Sequence, residues 1–407
     1  MVRTILSLVV VGIVVSGGTR VSGDTVFKSA LHDYRLVPFV EALVQPWSIA
    51  FLPGGDTLIT ERPGRLRIVR NGKLLPQPVE GVPRVEVTSQ GGLLEVALHP
   101  NFASNRMIYL SYSKLKADGK EPTTALARGR FENDRLTGVE QLFESISSGR
   151  NHFGGKIAFD KNGFLFLTLG DRQVPPEGKL EAHPAQDLSN HHGKIIRLHD
   201  DGRVPADNPF VSRAGARPEI WSYGHRNVQG LAIHPETGEV WANEHGPQGG
   251  DELNRILPGR NYGWPVIGFG VNYTTGYAIH SGTHREGMEQ PVQVWVPSIG
   301  ISGMMFYTGD KFPQWRNHLF VGGMVGQQLV RLTPSSPRET LVPQMGRIRD
   351  VRQGLDGFIY LVTDDRDGKP TPVYRMEPID RVTSNPRAGR RQGNHRLDSG
   401  QLAGGRL

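Results

Sequence analysis

Asn151-His152-Phe153-Gly154-Gly155-Lys156-Ile157-Ala158-Phe159-Asp160-Lys161-Asn162-Gly163-Phe164-Leu165-Phe166-Leu167-Thr168-Leu169-Gly170-Asp171 reads as one β-hairpin. A short apolar strand over residues 156–160 meets a turn at Lys161-Asn162-Gly163, and a second strand returns to Gly170-Asp171. Antiparallel pairing brings the open ends of a hairpin together, so His152 and Asp171 belong at the same end. A histidine beside a carboxylate is a ready general base, because its titration lies near neutral pH. One such pair carries little weight, since a histidine ahead of a strand is more often a hydrogen-bonded loop residue.

The weight comes from recurrence. Residues 47–53 lead to 57–61, 94–100 to 107–112, 230–235 to 239–244, 303–307 to 318–322, and 350–353 to 357–364. The anchors Ala50, Ala97, Ala158, Ala232, Met305 and Arg352 are 47, 61, 74, 73 and 47 residues apart. Each interval has room for two more short strands, such as 66–70 and 195–198. Four strands per repeat at this period are propeller blades. The expected fold is all-β, a six-bladed β-propeller with four-stranded antiparallel blades. A β-helix needs a shorter period, and no long amphipathic helix pattern competes.

Composition agrees with many short strands and tight turns: 51 Gly and 29 Pro in 407 residues. The absence of cysteine excludes disulfides, thiol catalysis and thiolate metal sites. The net charge of +7 is uneven. Arg3 and Arg20 supply +2, and residues 379–407, with six Arg against two Asp, supply +4, which leaves +1 for the body. That balance excludes a nucleic-acid footprint on the folded part. Residues 1–23 read as an export signal: Arg3, an apolar run from Ile5 to Val15 that is short for a bilayer span, and a small-residue site at Val21-Ser22-Gly23. The expected organisation is a signal over 1–23, a catalytic propeller over 24–378 and a basic disordered tail over 379–407. The expected location is periplasmic or secreted, with a membrane anchor as the less favoured reading.

In a propeller the first strand of each blade runs along the axis, so residues just before each anchor converge on one mouth of the central channel. Reading back five to seven residues gives Gln90, His152, Arg226 with Asn227, and Arg347, with Arg349 one step further in. At one phase of the repeat these residues outline a pocket for an anion beside a base. Arg226 and Asn227 read as a clamp on a carboxylate or a polarised carbonyl, because guanidinium donates as a planar fork. Arg347 and Arg349 share a face and need anionic partners when buried; Asp350 points the other way, so a multiply charged ligand is expected there. The acidic, Gly-rich run 243–252 turns main-chain carbonyls outward, as hard cations require. Rings at Tyr262, Trp264 and Trp295 can stack on a flat ligand, though packing under loops is the commoner use. The chain lacks GxGxxG after a strand, a phosphate loop, HExxH and GxSxG, which disfavours nicotinamide enzymes and serine hydrolases.

Trp47-Ser48-Ile49-Ala50-Phe51-Leu52-Pro53, Gln90-Gly91-Gly92-Leu93-Leu94, Asn151-His152-Phe153-Gly154, Gly224-His225-Arg226-Asn227, His245-Gly246-Pro247, Asn261-Tyr262-Gly263-Trp264 and Arg347-Ile348-Arg349-Asp350-Val351 occur in order. Together they resemble the soluble aldose sugar dehydrogenases, quinoproteins similar to soluble glucose dehydrogenase and the sorbosone dehydrogenase group. The resemblance implies a six-bladed propeller that binds pyrroloquinoline quinone (PQQ) and Ca²⁺. It implies oxidation of an aldose at the anomeric carbon to a lactone, with electrons passing to an external acceptor. His152 would be the base and Asp171 the residue that orients it. Gln90, Arg226 and Asn227 would contact the quinone edge, with Arg226 near the carbonyl that becomes negative. Arg347 and Arg349 would hold its carboxylates. The carbonyls of Gly246 and Pro247 would bind the catalytic Ca²⁺, and Glu252 with the Tyr262 carbonyl a second, structural one. One departure concerns a lysine that family members often carry after the strand matching 320–322: here Gly323-Met324-Val325-Gly326-Gln327-Gln328 has none, so a Gln substitutes or the two Arg act alone. The alternatives are a Ca²⁺-dependent lactonase-type propeller, which needs acidic side chains around an axial metal, and a non-catalytic binding propeller.

Overall fold

A computed structural model describes residues 25–379 apart from 334, 335 and 343. Its strands form six antiparallel sheets, with the first strands of neighbouring blades abutting around a central axis. Blade 1 pairs Pro46–Phe51, Thr57–Glu61, Arg65–Arg70 and Lys73–Leu74. Blade 2 pairs Leu93–Leu98, Met107–Leu115, Pro122–Glu132 and Arg135–Ser148. Blade 3 pairs Ile157–Phe159, Leu165–Leu169, Lys194–Leu198 and Ile220–Tyr223. Blade 4 pairs Val228–Ile233, Val240–Glu244, Asp251–Ile256 and Gln293–Trp295. Blade 5 pairs Ile301–Phe306, Leu319–Gly323, Gln328–Thr333 and Ser336–Leu341. Among the described residues the only α-helix is the single turn Phe102–Asn105.

Blade 6 departs from the repeat. Arg347–Gln353, Ile359–Asp364 and Pro370–Ile379 are joined by Asp33–Val44, which pairs from Asp33 opposite Ile379 to Val44 opposite Pro370. Val26–Phe27 adds a fifth strand at the outer edge. A strand from the start of the chain therefore closes the ring. It precedes the first repeat anchor and carries no repeat signal, which is why the sequence pattern assigned four strands and no closure. The segment read as an export signal and the tail from residue 380 onward lie outside the described residues. Among the described residues no helix is long and apolar enough to cross a membrane.

The core lies between blades rather than at one centre. Leu58, Leu66 and Ile68 of blade 1 pack on Ile108, Leu110 and Ala125 of blade 2. Tyr109 and Leu126 of blade 2 pack on Leu165, Leu167 and Ile196 of blade 3. The second strands Thr57–Glu61, Leu165–Leu169 and Leu319–Gly323 are buried at every position, as strands covered on both faces must be. Each buried Leu, Ile, Val or Phe among them contributes about 1.5–3 kcal/mol by leaving water. Four charged side chains cross the axis. Lys156 Nζ lies 2.9 Å from Glu95 and 3.0 Å from Asp350; Arg352 lies 3.0 Å from Asp350 and also pairs with Glu95. Two positive and two negative groups thus bridge blades 2, 3 and 6.

Candidate active site

At the mouth ahead of the first strands lies a cavity of about 650 Å³. Gln90, His152, Arg226, Asn227, Gly246, Pro247, Arg347 and Arg349 all line it. The repeat phase therefore brings Gln90, His152, Arg226, Asn227, Arg347 and Arg349, from four blades, to one place. Asp171 stands behind His152, and Glu252 and Tyr262 line a smaller neighbouring cavity.

The hairpin ends meet as its pairing requires: His152 Nδ1 is 2.6 Å from Asp171 Oδ1. His152 has φ 45°, an uncommon angle for a residue with a side chain. It is held from several sides. Its N–H donates to Gln90 Oε1 at 3.0 Å, and its carbonyl accepts from Arg172 Nη1 at 2.7 Å. Gly170 lies so close that a Cβ there would stand 2.0 Å from the His152 carbonyl oxygen, so the second strand must end in glycine. Asp171 Oδ1 also accepts from the Gln173 N–H at 2.8 Å, and Oδ2 accepts from Trp264 Nε1 at 2.7 Å.

Burial is the largest influence on His152 and holds it below its ordinary value, outweighing the pull of Asp171 toward the imidazolium. Burial alone would raise Asp171, but His152, Arg226 and the Gln173 N–H hold it below the usual carboxylate range. At neutral pH the pair is an imidazole that donates through Nδ1 to a carboxylate. Nε2 keeps its lone pair for the cavity.

Arg226 donates through Nη1 to the carbonyls of Gly246, at 2.7 Å, and His245, at 3.2 Å. Its guanidinium lies 5.2 Å over the ring of Trp264, so Trp264 joins Asp171 to this arginine. Asn227 Oδ1 accepts from Gln229 Nε2 at 3.1 Å, and Gln229 Oε1 accepts from Arg349 Nη1 at 3.3 Å. Gln90, expected at the cofactor edge, lines the cavity, and its side-chain oxygen accepts from the His152 main-chain N–H.

The expectation that Arg347 and Arg349 lack a protein carboxylate is corrected. Asp364 serves both, with Oδ1 2.7 Å from Arg347 Nε and Oδ2 2.9 Å from Arg349 Nη2. Asp364 lies opposite Arg347 in the strand register, and the sequence reading had weighed only Asp350. Asp350 is engaged on the axis with Lys156 and Arg352. Where the lysine is missing, Met324 and Val325 line the cavity, and Met324 Sδ lies 3.4 Å from Arg347 Nη2. Gln327 and Gln328 are not among the lining residues.

Gly246 and Pro247 line both cavities, and their carbonyls already accept from Arg226 at 2.7 Å and from Ser298 Oγ at 3.5 Å. A carbonyl has a second lone pair, so a cation would share these oxygens. The smaller cavity, about 20 Å³, is lined by Glu244, Glu252 and Tyr262. Burial, with Glu244 adding to it, pushes Glu252 up to about 8. Asn254 Nδ2 donates to Glu252 at 3.2 Å and reaches Glu244 at 3.4 Å, while its buried Oδ1 has no partner. Two carboxylates beside a water-sized space fit a hard cation. No group of three or more His, Asp or Glu that could hold a metal occurs among the described residues, so main-chain carbonyls would have to complete the shell.

Comparison with known proteins gives a consistent result. The family described as Glucose / Sorbosone dehydrogenase matches residues 43–375. Aldose sugar dehydrogenase YliI of Escherichia coli (strain K12) is 44% identical over 342 residues, covering 81% of this chain and 90% of that protein. The crystal structure of the soluble aldose sugar dehydrogenase from Escherichia coli in the apo-form superposes with TM-score 0.79 at 40% identity, covering 85% of this chain and 100% of that one. The PQQ-bound form of aldose sugar dehydrogenase from Streptomyces coelicolor superposes with TM-score 0.67 at 27% identity, covering 85% and 98%.

Proposed function

Because the chain belongs to the glucose/sorbosone dehydrogenase family, we propose that it oxidises an aldose at the anomeric carbon to the lactone, using PQQ and Ca²⁺. The observation that carries this reading is the neutral His152, fixed by Asp171 at 2.6 Å, facing a cavity of about 650 Å³ with arginines across it. A base without an acceptor opposite would suit hydrolysis; a base facing an anion site suits removal of a proton on one side and a hydride on the other. A bound quinone would supply the acceptor for that hydride, and Ca²⁺ held beside it would supply a Lewis acid.

His152 Nε2 takes the proton of the C1 hydroxyl, the C1–H bond yields its electron pair as hydride, and C1 becomes the lactone carbonyl. Asp171 holds the productive tautomer and stabilises the imidazolium that forms. Arg226 supports the side of the site where negative charge develops, and Arg347 and Arg349 hold ligand carboxylates with Asp364 keeping their guanidinium groups in place. Gly246, Pro247, Glu252 and Tyr262 supply the oxygens proposed for Ca²⁺. We also place the protein outside the cytoplasm on the reading of residues 1–23, which the mass of the exported chain checks.

The test is dye reduction by purified protein given PQQ, Ca²⁺ and a panel of aldoses. No turnover with any aldose, together with no quinone binding by absorbance, defeats the proposal. His152→Ala is expected to lower kcat by about 10²–10⁴ while quinone binding persists, as loss of a general base does. A fully active His152→Ala protein would place the base elsewhere.

A further inference from the structure

We propose that Arg62, which follows the second strand of blade 1, is a third cation of the anion clamp and takes the place of the missing lysine. The inference rests on the quinone reading above. Arg62 lines the same cavity as Arg347 and Arg349. The preceding Glu61 does not neutralise it. That carboxylate is 2.6 Å from the Val44 N–H and 2.6 Å from Arg65, with Arg67 at 3.3 Å. The hydrogen-bond partner of the Arg62 guanidinium is the Ser89 carbonyl, an uncharged group.

Charge at this wall is therefore out of balance. Asp364 is the carboxylate shared by Arg347 and Arg349, and Arg62 adds a guanidinium with no carboxylate of its own. Burial first, then the fields of Arg349 and Arg347, weaken the hold of Arg62 on its proton, with Asp364 opposing. Over the whole cavity Arg62, Arg226, Arg347, Arg349 and Arg366 face Asp251, Asp364 and Asp365, an excess of positive charge that a neutral sugar cannot relieve. A ligand with two or more carboxylates can.

The position is also preorganised. The Arg62 N–H donates to the Gln45 carbonyl at 3.0 Å, and its carbonyl accepts from the Leu93 N–H at 3.0 Å. Gly92, at φ 146°, lets blade 2 come so close that a Cβ there would stand 2.0 Å from the Arg62 carbonyl oxygen. Gln45 and blade 2 thus fix the main chain of Arg62, and its side chain lines the cavity that Arg347 and Arg349 of blade 6 also line. Arg366 lines the cavity too, but it sits on the exposed rim.

The experiment titrates purified apo-protein with PQQ, following absorbance and tryptophan fluorescence, for the wild type and for R62Q, R62K and R366Q, with a thermal melt of each. Arg62→Gln is expected to weaken binding about tenfold or more, as loss of a charge-assisted contact does. Arg62→Lys should regain part of that loss, and Arg366→Gln should change Kd by less than about threefold because rim charges are screened. R62Q binding within about twofold of wild type, with a native melt, would overturn the clamp. R366Q as weak as R62Q would overturn it as well, because the attraction would then be a diffuse field. Should R62Q fail to fold, R62K decides: binding weaker than wild type at low salt and weakened about tenfold more at 0.5 M salt supports a charged contact, and affinity equal to wild type and unchanged by salt opposes it. Wild-type protein that binds no quinone would overturn the function itself, which separates the two failures.

Discussion

At the scale of single residues, the site is a set of restraints on one imidazole. Gln90, Arg172 and Asp171 hold His152 at an uncommon backbone angle, and Trp264 holds Asp171 in turn. Trp264 was expected to be a packing ring, yet its Nε1–H is spent on the carboxylate that matters most. With His152 as the proposed base, only its neutral form accepts a proton, so activity is expected to fall on the acid side as the imidazole titrates. Trp264→Phe removes one donor from Asp171, whose charge then favours the imidazolium more strongly. The acid limb of kcat/KM should move to higher pH, and kcat should fall about 10- to 100-fold through looser positioning. A pH-rate profile checks this; an unmoved limb would reduce Trp264 to packing.

At the scale of elements, the connection between the second and third strands of blade 3 buries His183 and His191 and partly buries His192, beside Lys194. Burial is the main cause of lowered proton affinity in each; His192 falls to about 4 and Lys194 to about 7. Lys194 is satisfied by carbonyls, those of Ala185 at 3.0 Å and His192 at 2.5 Å among them, rather than by a carboxylate. A histidine whose folded value lies below its unfolded one binds fewer protons folded than unfolded. Its favourable contribution is complete above about pH 6.5 and is lost as pH falls toward 4. The melting temperature should therefore drop through that window, and His192→Gln should flatten the drop by on the order of 1 kcal/mol after allowance for partial solvent exposure. Melts at half-unit pH steps measure both slopes. Equal slopes would assign the acid sensitivity to other groups.

At the scale of the whole molecule, two devices keep six blades in one ring. The strand Asp33–Val44 completes blade 6 from the opposite end of the chain. The Lys156, Glu95, Asp350 and Arg352 cluster ties three blades at the axis, and Lys156 also lies 4.3 Å over the ring of Trp47 in a fourth. Removing Lys156 leaves two buried carboxylates sharing the single Arg352 guanidinium. Lys156→Met should lower stability by about 3–5 kcal/mol, read as a lower denaturant midpoint. A midpoint unchanged within error would mean that the cluster contributes specificity and no net stability.

The sequence by itself determined the periodic part of this protein. Blade number follows from anchors that recur every 47 to 74 residues, and the His152–Asp171 pair follows from a hairpin whose ends must meet. Both are consequences of local strand pairing. The phase of the repeat also carried Gln90, Arg226, Asn227, Arg347 and Arg349 to the mouth. Only the tertiary structure decided the partners that cross between blades or between distant segments. Trp264 reaches Asp171 from 93 residues away, and Arg62 faces blade 6 although it belongs to blade 1. Asp364 could have been found, because the second strand of every blade returns to the same mouth. Applied throughout, that rule picks out Arg62, His245 and Asp364 as readily as Asp171. Ring closure had no such signal: pairing between Asp33 and Ile379 depends on the curvature of all six sheets together, which no local pattern encodes.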